Sequence, residues 1–376
     1  MIYLNNPATS KKKPLNVISR LIKETAFSSV GGGRDLSKTS LLADKRITEV
    51  QDYIAELFNI KNPERICFTQ NCTYALNMAI SGVLDENDHV IVTSMDHNSV
   101  LRPVFSHKNY TIISADKSGY VNPKDIKKAI KDNTKLIITT HASNVSGTIQ
   151  DVKEISKIAH KNNALFLLDA AQSAGILEIN QKDINADLIA FSGHKGLMGP
   201  LGTGGLYVSE NVNLKPIIKG GTGSNSKNLS QPDFYPDILH SGTMNFPAIS
   251  ALGDGVKFVL KKGTDKILSH ERALASEFID RISHLENVKI LGTKDINKRN
   301  GTVAFTIDGI DSQNVAELLL KDYGIVSRGG WHCAYLAHKS LGSEKSGAVR
   351  VGFGLYNSYK DVKKLSKAVS EISKSI

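Results

Sequence analysis

Phe191, Ser192, Gly193, His194, Lys195 and Gly196 set a hydroxyl, an imidazole and a primary amine side by side, just past an apolar run. A primary amine condenses with an aldehyde. Ser192 and His194 can hydrogen-bond a phosphate or a ring oxygen, and the glycines let backbone approach closely. This is the equipment for holding pyridoxal phosphate, with Lys195 capturing its aldehyde. Taken alone, a lysine between glycines is also an ordinary surface turn, so the neighbouring polar clusters carry the argument.

Asn71, Cys72 and Thr73 open an Ala- and Leu-rich helical stretch after the apolar run 66–69. Free amides and the Thr73 hydroxyl at a positive helix end suit a phosphate, with a plain helix cap as the alternative reading. His97, in the run Asp96 to Ser99, is placed to lie flat on an aromatic ring and exchange protons beneath it, and Asn144 offers a hydrogen bond to a ring oxygen. Asp169 ends the apolar run 165–168. A buried carboxylate is costly without a cation, and a protonated pyridine nitrogen is one that would keep the ring an electron sink.

Those clusters need a scaffold. The chain has 376 residues, 40% of them hydrophobic, which is enough for a sizeable core in one large domain and a smaller one. Short β-rich runs at 65–69, 90–94, 111–115, 135–140, 165–169, 188–192 and 205–208 alternate with helical stretches. The pattern predicts an α/β fold whose mostly parallel sheet is covered by helices on both faces, with the polar clusters converging outside the carboxyl ends of the strands. From about residue 257 the texture shifts to long amphipathic helices, with Val362, Leu365, Val369 and Ile372 at helical spacing. The expected division is a large cofactor-binding domain over 16–257 and a smaller α+β domain made of 1–15 with 258–376. The stretch 220–226 is too rich in glycine and hydroxyls to be a packed element.

A net charge of +10 admits acidic proteins or phosphate-bearing ligands, but the lysines are scattered and only 6% of residues are aromatic, which argues against a nucleic-acid groove. Cys67, Cys72 and Cys333 lack paired spacing, and the first residues do not read as a leader, so a reduced, cytoplasmic setting is expected. No apolar run reaches the roughly 18–20 residues of a membrane span.

Further segments complete a pattern: Tyr3 to Thr9, Ser241 to Asn245, Arg328 to Ala334, and Arg350 to Asn357. In order and spacing the set resembles, almost end to end, the cysteine desulfurase and selenocysteine lyase family, class V aminotransferase-like enzymes of fold type I. The resemblance implies that Lys195 bonds the cofactor, that Asp169 faces its ring nitrogen and that His97 stacks on the ring. It gives Asn144 and Gln172 to the ring oxygen or substrate, and the phosphate to Asn71, Cys72, Thr73, Ser192 and His194. Thr243 would reach the cofactor of a neighbouring subunit, which implies a homodimer.

Cys333 then becomes the nucleophile that takes sulfur from L-cysteine, leaving L-alanine and a persulfide, with His332 or the substrate amine assisting its ionisation. Its flanking glycines and Trp331 suggest a mobile loop. Arg350, assisted by Arg328, would clamp the substrate carboxylate with its bidentate fork. The short interval between Cys333 and Arg350 resembles the group with a compact catalytic loop, whose members usually pass sulfur to an acceptor protein. L-selenocysteine is the alternative substrate, another aminotransferase or β-elimination lyase the alternative chemistry, and a non-catalytic cofactor-binding scaffold a further one. A metal site at His332, Cys333 and His338 lacks a fourth ligand and would block the thiol. Asn5, Pro7, Asp96, His240 and Tyr335 depart from the family pattern, so loop closure, substrate preference and acceptor identity rest on what surrounds them.

Overall fold

The computed structural model describes residues 1–27 and 37–376. In chain order its strands are β1 (Ile2–Tyr3), β2 (Ile66–Thr69), β3 (His89–Thr93), β4 (Tyr110–Ile113), β5 (Thr134–Thr140), β6 (Leu165–Asp169), β7 (Leu188–Ser192), β8 (Gly204–Val208), β9 (Val288–Leu291), β10 (Thr302–Ile307), β11 (Ile325–Val326) and β12 (Val349–Gly352). A seven-stranded sheet has the order β2-β8-β7-β6-β5-β3-β4. β8 runs antiparallel to both neighbours, and the remaining pairings are parallel. Each of the strand runs read from the sequence lies in this sheet, with ends displaced by a residue or two.

Its central strands are mostly apolar because both faces are covered. Successive residues point to opposite faces. Ile91, Ile137, Phe166, Leu168, Ile189 and Phe191 enter one core cluster, while Val90, Val92, Leu136, Ile138, Leu167 and Leu188 enter the other. The parallel strands all deliver their carboxyl ends to one edge, and the polar clusters of the sequence follow those ends.

A second core gathers on the sheet β12-β10-β9 and the helix Tyr359–Lys374, which buries Val362, Leu365, Val369 and Ile372 as their spacing predicts. β1 pairs in parallel with β11, and Leu4 is buried in this second core, so the first residues of the chain join its last third. The helix Phe246–Lys262 runs unbroken through 257/258, and Gly263, at φ +85°, is where the chain turns into the next helix, Thr264–Ile282. Residues 220–226 form neither helix nor strand. No helix among the described residues is long and apolar enough to cross a membrane.

Candidate active site

The carboxyl ends of β2, β3, β5, β6 and β7 open onto a cavity of about 250 Å³. Its walls include Asn71, Cys72, Thr73, His97, Asn144, Asp169, Gln172, Ser192, His194, Lys195, Arg328 and Arg350. Asn71 caps the helix Cys72–Val83, its side chain accepting from the Tyr74 amide at 3.1 Å, so the first amides of that helix have no helical partner. Gly196 is required for packing, since a Cβ there would sit 2.4 Å from the Ala174 carbonyl. The N-terminal segment clamps the lysine turn from outside. The His194 carbonyl accepts from Lys13 Nζ (2.8 Å), Thr9 Oγ1 (3.2 Å) and the Ser10 amide (3.2 Å).

Burial dominates the electrostatics. It lowers the Lys195 pKa, opposed by Cys72 and Asp169 and reinforced by Arg350 and Arg328, so the amine loses its proton more readily than in water. It raises Asp169, whose Oδ1 accepts from the Ala171 amide (2.9 Å) and the Cys72 thiol (3.6 Å). His97 is pushed down to about 4 by burial and then by Lys195, Arg328, Arg350 and Arg102. It caps the helix Asn98–His107, and because its Nδ1 accepts from the Ser99 amide at 3.1 Å, its proton sits on Nε2. Ser99 Oγ lies 2.9 Å from that Nδ1 and 2.8 Å from Thr73 Oγ1, tying ring and helix start together.

Arg350, on β12, is almost wholly buried with amide partners in place of a carboxylate. Its Nη1 donates to the Asn144 carbonyl (3.0 Å) and its Nη2 to Asn5 Oδ1 (2.8 Å), while Nε has no partner. Burial, then Arg328, lowers its pKa to about 9. The departure at Asn5 thus has a consequence: the guanidinium charge stays uncompensated and available to an anion. Asp96 is the buried brace of the same wall, accepting from the Thr93 amide (2.7 Å), the Thr93 hydroxyl (2.9 Å) and the Thr140 amide (2.6 Å), with its pKa raised to about 7 by burial.

Cys333 lies outside the cavity lining, exposed, with Sγ 3.7 Å from Arg328 Nη2, a group that does line it. His332 and Cys333 both adopt left-handed backbone, at φ +53° and +57°. The loop that the sequence reads as mobile is held here by hydrogen bonds to its backbone at two points. The His332 carbonyl accepts from Asn144 Nδ2, and the Cys333 carbonyl from the Asn98 amide, each at 2.8 Å. The His332 ring is committed at both nitrogens, to the Arg328 carbonyl (3.0 Å) and to His338 (3.1 Å), so it has no nitrogen left to assist the Cys333 thiol.

Thr243 lies apart, in a separate depression with Tyr74, Gly202 and His240. The buried His240 accepts from the Phe68 amide at 2.8 Å and stacks on that ring. The contacts of Ser99 and Asn5, the Cys72 thiol bond to Asp169 and the Thr9–Ser10 clamp were not foreseen from the sequence. A hydroxyl two residues past His97 is the one local signal that pointed to any of them.

The class V aminotransferase family model matches residues 2–365. The chain belongs to that family. It is 32% identical to the probable cysteine desulfurase of Methanothermobacter thermautotrophicus, over 99% of this chain and 94% of the relative. It is likewise 32% identical to that of Pyrococcus abyssi, over 100% and 95%. The apo structure of cysteine desulfurase from Thermococcus onnurineus superposes with a TM-score of 0.93 at 31% identity, covering 100% of this chain and 95% of that one.

The residues present fit the family's cofactor, pyridoxal phosphate. Asp169 Oδ2 carries no hydrogen bond among the described residues, and the buried Nδ1 of His194 has no partner. An acceptor-rich phosphate and a protonated ring nitrogen are the groups that would satisfy such a wall.

Proposed function

We propose that the protein is a cysteine desulfurase, moving sulfur from L-cysteine to Cys333 and releasing L-alanine. The observation that carries this reading is the exposed Cys333 thiol, held beside Arg328 on an anchored loop at the edge of a cavity that contains a half-buried amine and a buried carboxylate.

Lys195 would hold the cofactor aldehyde, Asp169 its ring nitrogen, His97 its ring face, Asn144 and Gln172 its ring oxygen, and Asn71, Cys72, Thr73, Ser192 and His194 its phosphate. Bound there, pyridoxal phosphate supplies an electron sink conjugated with the substrate's Cα. Arg350, with an unpartnered Nε and no carboxylate among its partners, binds the substrate carboxylate, assisted by Arg328. Lys195 Nζ, its pKa lowered by burial, takes the Cα proton. Cys333 Sγ attacks the substrate sulfur: the C–S bond breaks, an S–S bond forms, and protons returned through Lys195 and the Nε2–H of His97 complete alanine. The sum is L-cysteine plus the Cys333 thiol giving L-alanine plus the Cys333 persulfide.

Thr243, away from the cavity of its own chain, supports a homodimer in which it serves the partner's cofactor. The separate sheet formed by the last third of the chain supports a division into a large and a small domain like the expected 16–257 and 1–15 with 258–376, with the junction moved to Gly263, where the helix that runs through 257/258 ends. We assign the reaction to the cytoplasm and the persulfide to an acceptor protein. Mass spectrometry after brief exposure to L-cysteine tests the reading. The peptide holding Cys333 gains one sulfur, and Cys333→Ser retains the bound cofactor yet yields no sulfide; sulfide output undiminished in that variant overturns it.

A further inference from the structure

The loop that carries Cys333 is held by a hydrogen-bond chain whose direction can be worked out atom by atom. The Arg328 carbonyl can only accept, so His332 Nε2 carries a hydrogen and donates to it at 3.0 Å. His332 Nδ1 is therefore an acceptor, and the atom 3.1 Å away, His338 Nε2, must donate to it. That leaves His338 Nδ1 to accept from the Ser343 hydroxyl at 2.8 Å. The two rings stack, and all three residues are at most 4% exposed. His338 belongs to the helix Tyr335–Leu341, and Ser343 follows that helix's left-handed Gly342 cap, its amide bonded to the His338 carbonyl at 2.8 Å. The chain thus runs from a rigid helix end through two rings to the backbone of Arg328, whose side chain faces Cys333 Sγ.

Two consecutive non-glycine residues in left-handed conformation persist only where their surroundings over-determine them. His332 and Cys333 are such a pair, and the ring of His332 is the side chain that pins the first of them.

Resting on the reading of Cys333 as the sulfur acceptor, we infer that His332, His338 and Ser343 are positioning residues that hold the Cys333 loop in its transfer shape only while both rings are neutral, making sulfur transfer acid-sensitive independently of cofactor binding. The chain can absorb one proton by reversing at Ser343, but the added charge is then buried among like charges. Those acting on the pair are the guanidiniums of Arg350, on β12, and Arg328, in the loop itself, both positive. Burial, then Arg350, already lowers His338 to about 4 and His332 well below its ordinary value. An opened loop exposes both rings to water, where each binds a proton below about pH 6.5. The sign follows: neutral rings favour the closed loop above that pH, and each ring raises the opening equilibrium about fivefold over the first pH unit below it, approaching tenfold per unit further down.

The test uses the cofactor-loaded enzyme. Hydrogen exchange of segment 329–343, corrected for intrinsic rates, rises by up to about thirtyfold between pH 6.5 and 5.5, while the cofactor absorption stays constant. Persulfide formation on Cys333 falls over the same interval. His338→Gln can donate to His332 and accept from Ser343 without titrating, so it keeps transfer at pH 7.5 and halves the steepness of the acid limb. His338→Leu leaves His332 Nδ1 unpaired and slows persulfide formation at least tenfold at pH 7.5, with the borohydride-reducible cofactor bond intact. Should it fail to fold, Ser343→Ala gives a smaller loss with raised exchange in the same segment. Exchange independent of pH, a wild-type acid slope in His338→Gln, or undiminished transfer in both His338→Leu and Ser343→Ala overturns the inference. Wild-type enzyme that never gains sulfur on Cys333 sinks instead the desulfurase reading, and the exchange arm alone then decides the loop's acid sensitivity.

Discussion

Replacing Arg350 separates charge from geometry at the proposed substrate-carboxylate site. Its guanidinium is buried with two neutral oxygen partners and an unpartnered Nε, so an incoming carboxylate meets a cation no other group has compensated. Opposite charges about 4 Å apart attract by about 4 kcal/mol at an effective dielectric near 20, and truncating one partner of a buried charge pair costs about 2–5 kcal/mol. Arg350→Lys keeps the cation but loses the planar fork, so about half the interaction, roughly 2 kcal/mol, is lost, lowering kcat/KM about 30-fold, mostly through KM. Arg350→Gln loses nearly all of it, roughly 4 kcal/mol or about a thousandfold. Steady-state sulfide release is measured on L-cysteine and on 2-aminoethanethiol, which has the amine and thiol without the carboxylate. The wild-type preference for L-cysteine collapses in both variants. Equal losses on the two substrates, or a Lys variant within threefold of wild type on L-cysteine, refute the assignment of Arg350 to the carboxylate.

Other outcomes follow from the same physics. Lys195→Ala protein forms no borohydride-reducible bond to pyridoxal phosphate, and a persisting covalent adduct removes Lys195 from its role. Glu271, on the helix Thr264–Ile282, is raised by burial from 4.5 to about 8. Neutral in the folded chain but ionised above about 4.5 when unfolded, it contributes stability that is complete below 4.5 and lost as pH climbs toward 8, by up to about 1.4 kcal/mol per unit. Glu271→Gln therefore raises Tm at pH 8 and leaves it nearly unchanged at pH 4.5; an equal shift at both pH values contradicts this origin.

The α/β class, the strands of the main sheet and the residues at their carboxyl ends were legible because each depends on local pattern. Apolar runs of strand length mark buried strands, and the polar cluster that ends each one falls at the crevice edge. Lys195, Asp169, His97, Asn71 and Asn144 were reached this way, and the structure brings them to one cavity. Arg350 was legible only by resemblance, since an arginine within an apolar strand carries no local mark of its partners. Its pairing with Asn5 joins positions at opposite ends of the chain. The contacts that hold the loop at Cys333 were hidden for the same reason. Glycines and an exposed Trp331 suggest mobility, while the groups that anchor it, Asn98, Asn144 and His338, come from three different elements.

Chemical inventory and its order along the chain were thus set by the sequence alone: an amine, a carboxylate, an imidazole and a thiol, each in a recognisable setting. Folding decided which of their atoms are free. Burial determines protonation and neighbouring backbone groups determine the tautomers: the Ser99 amide leaves the His97 proton on Nε2, and the Arg328 carbonyl with His338 withdraws His332 from Cys333. Both effects act over a few ångströms and depend on which atoms folding turns toward one another, which periodicity and spacing do not encode, even where the partners, Ser99 for His97 and Arg328 and His338 for His332, are only a few residues away.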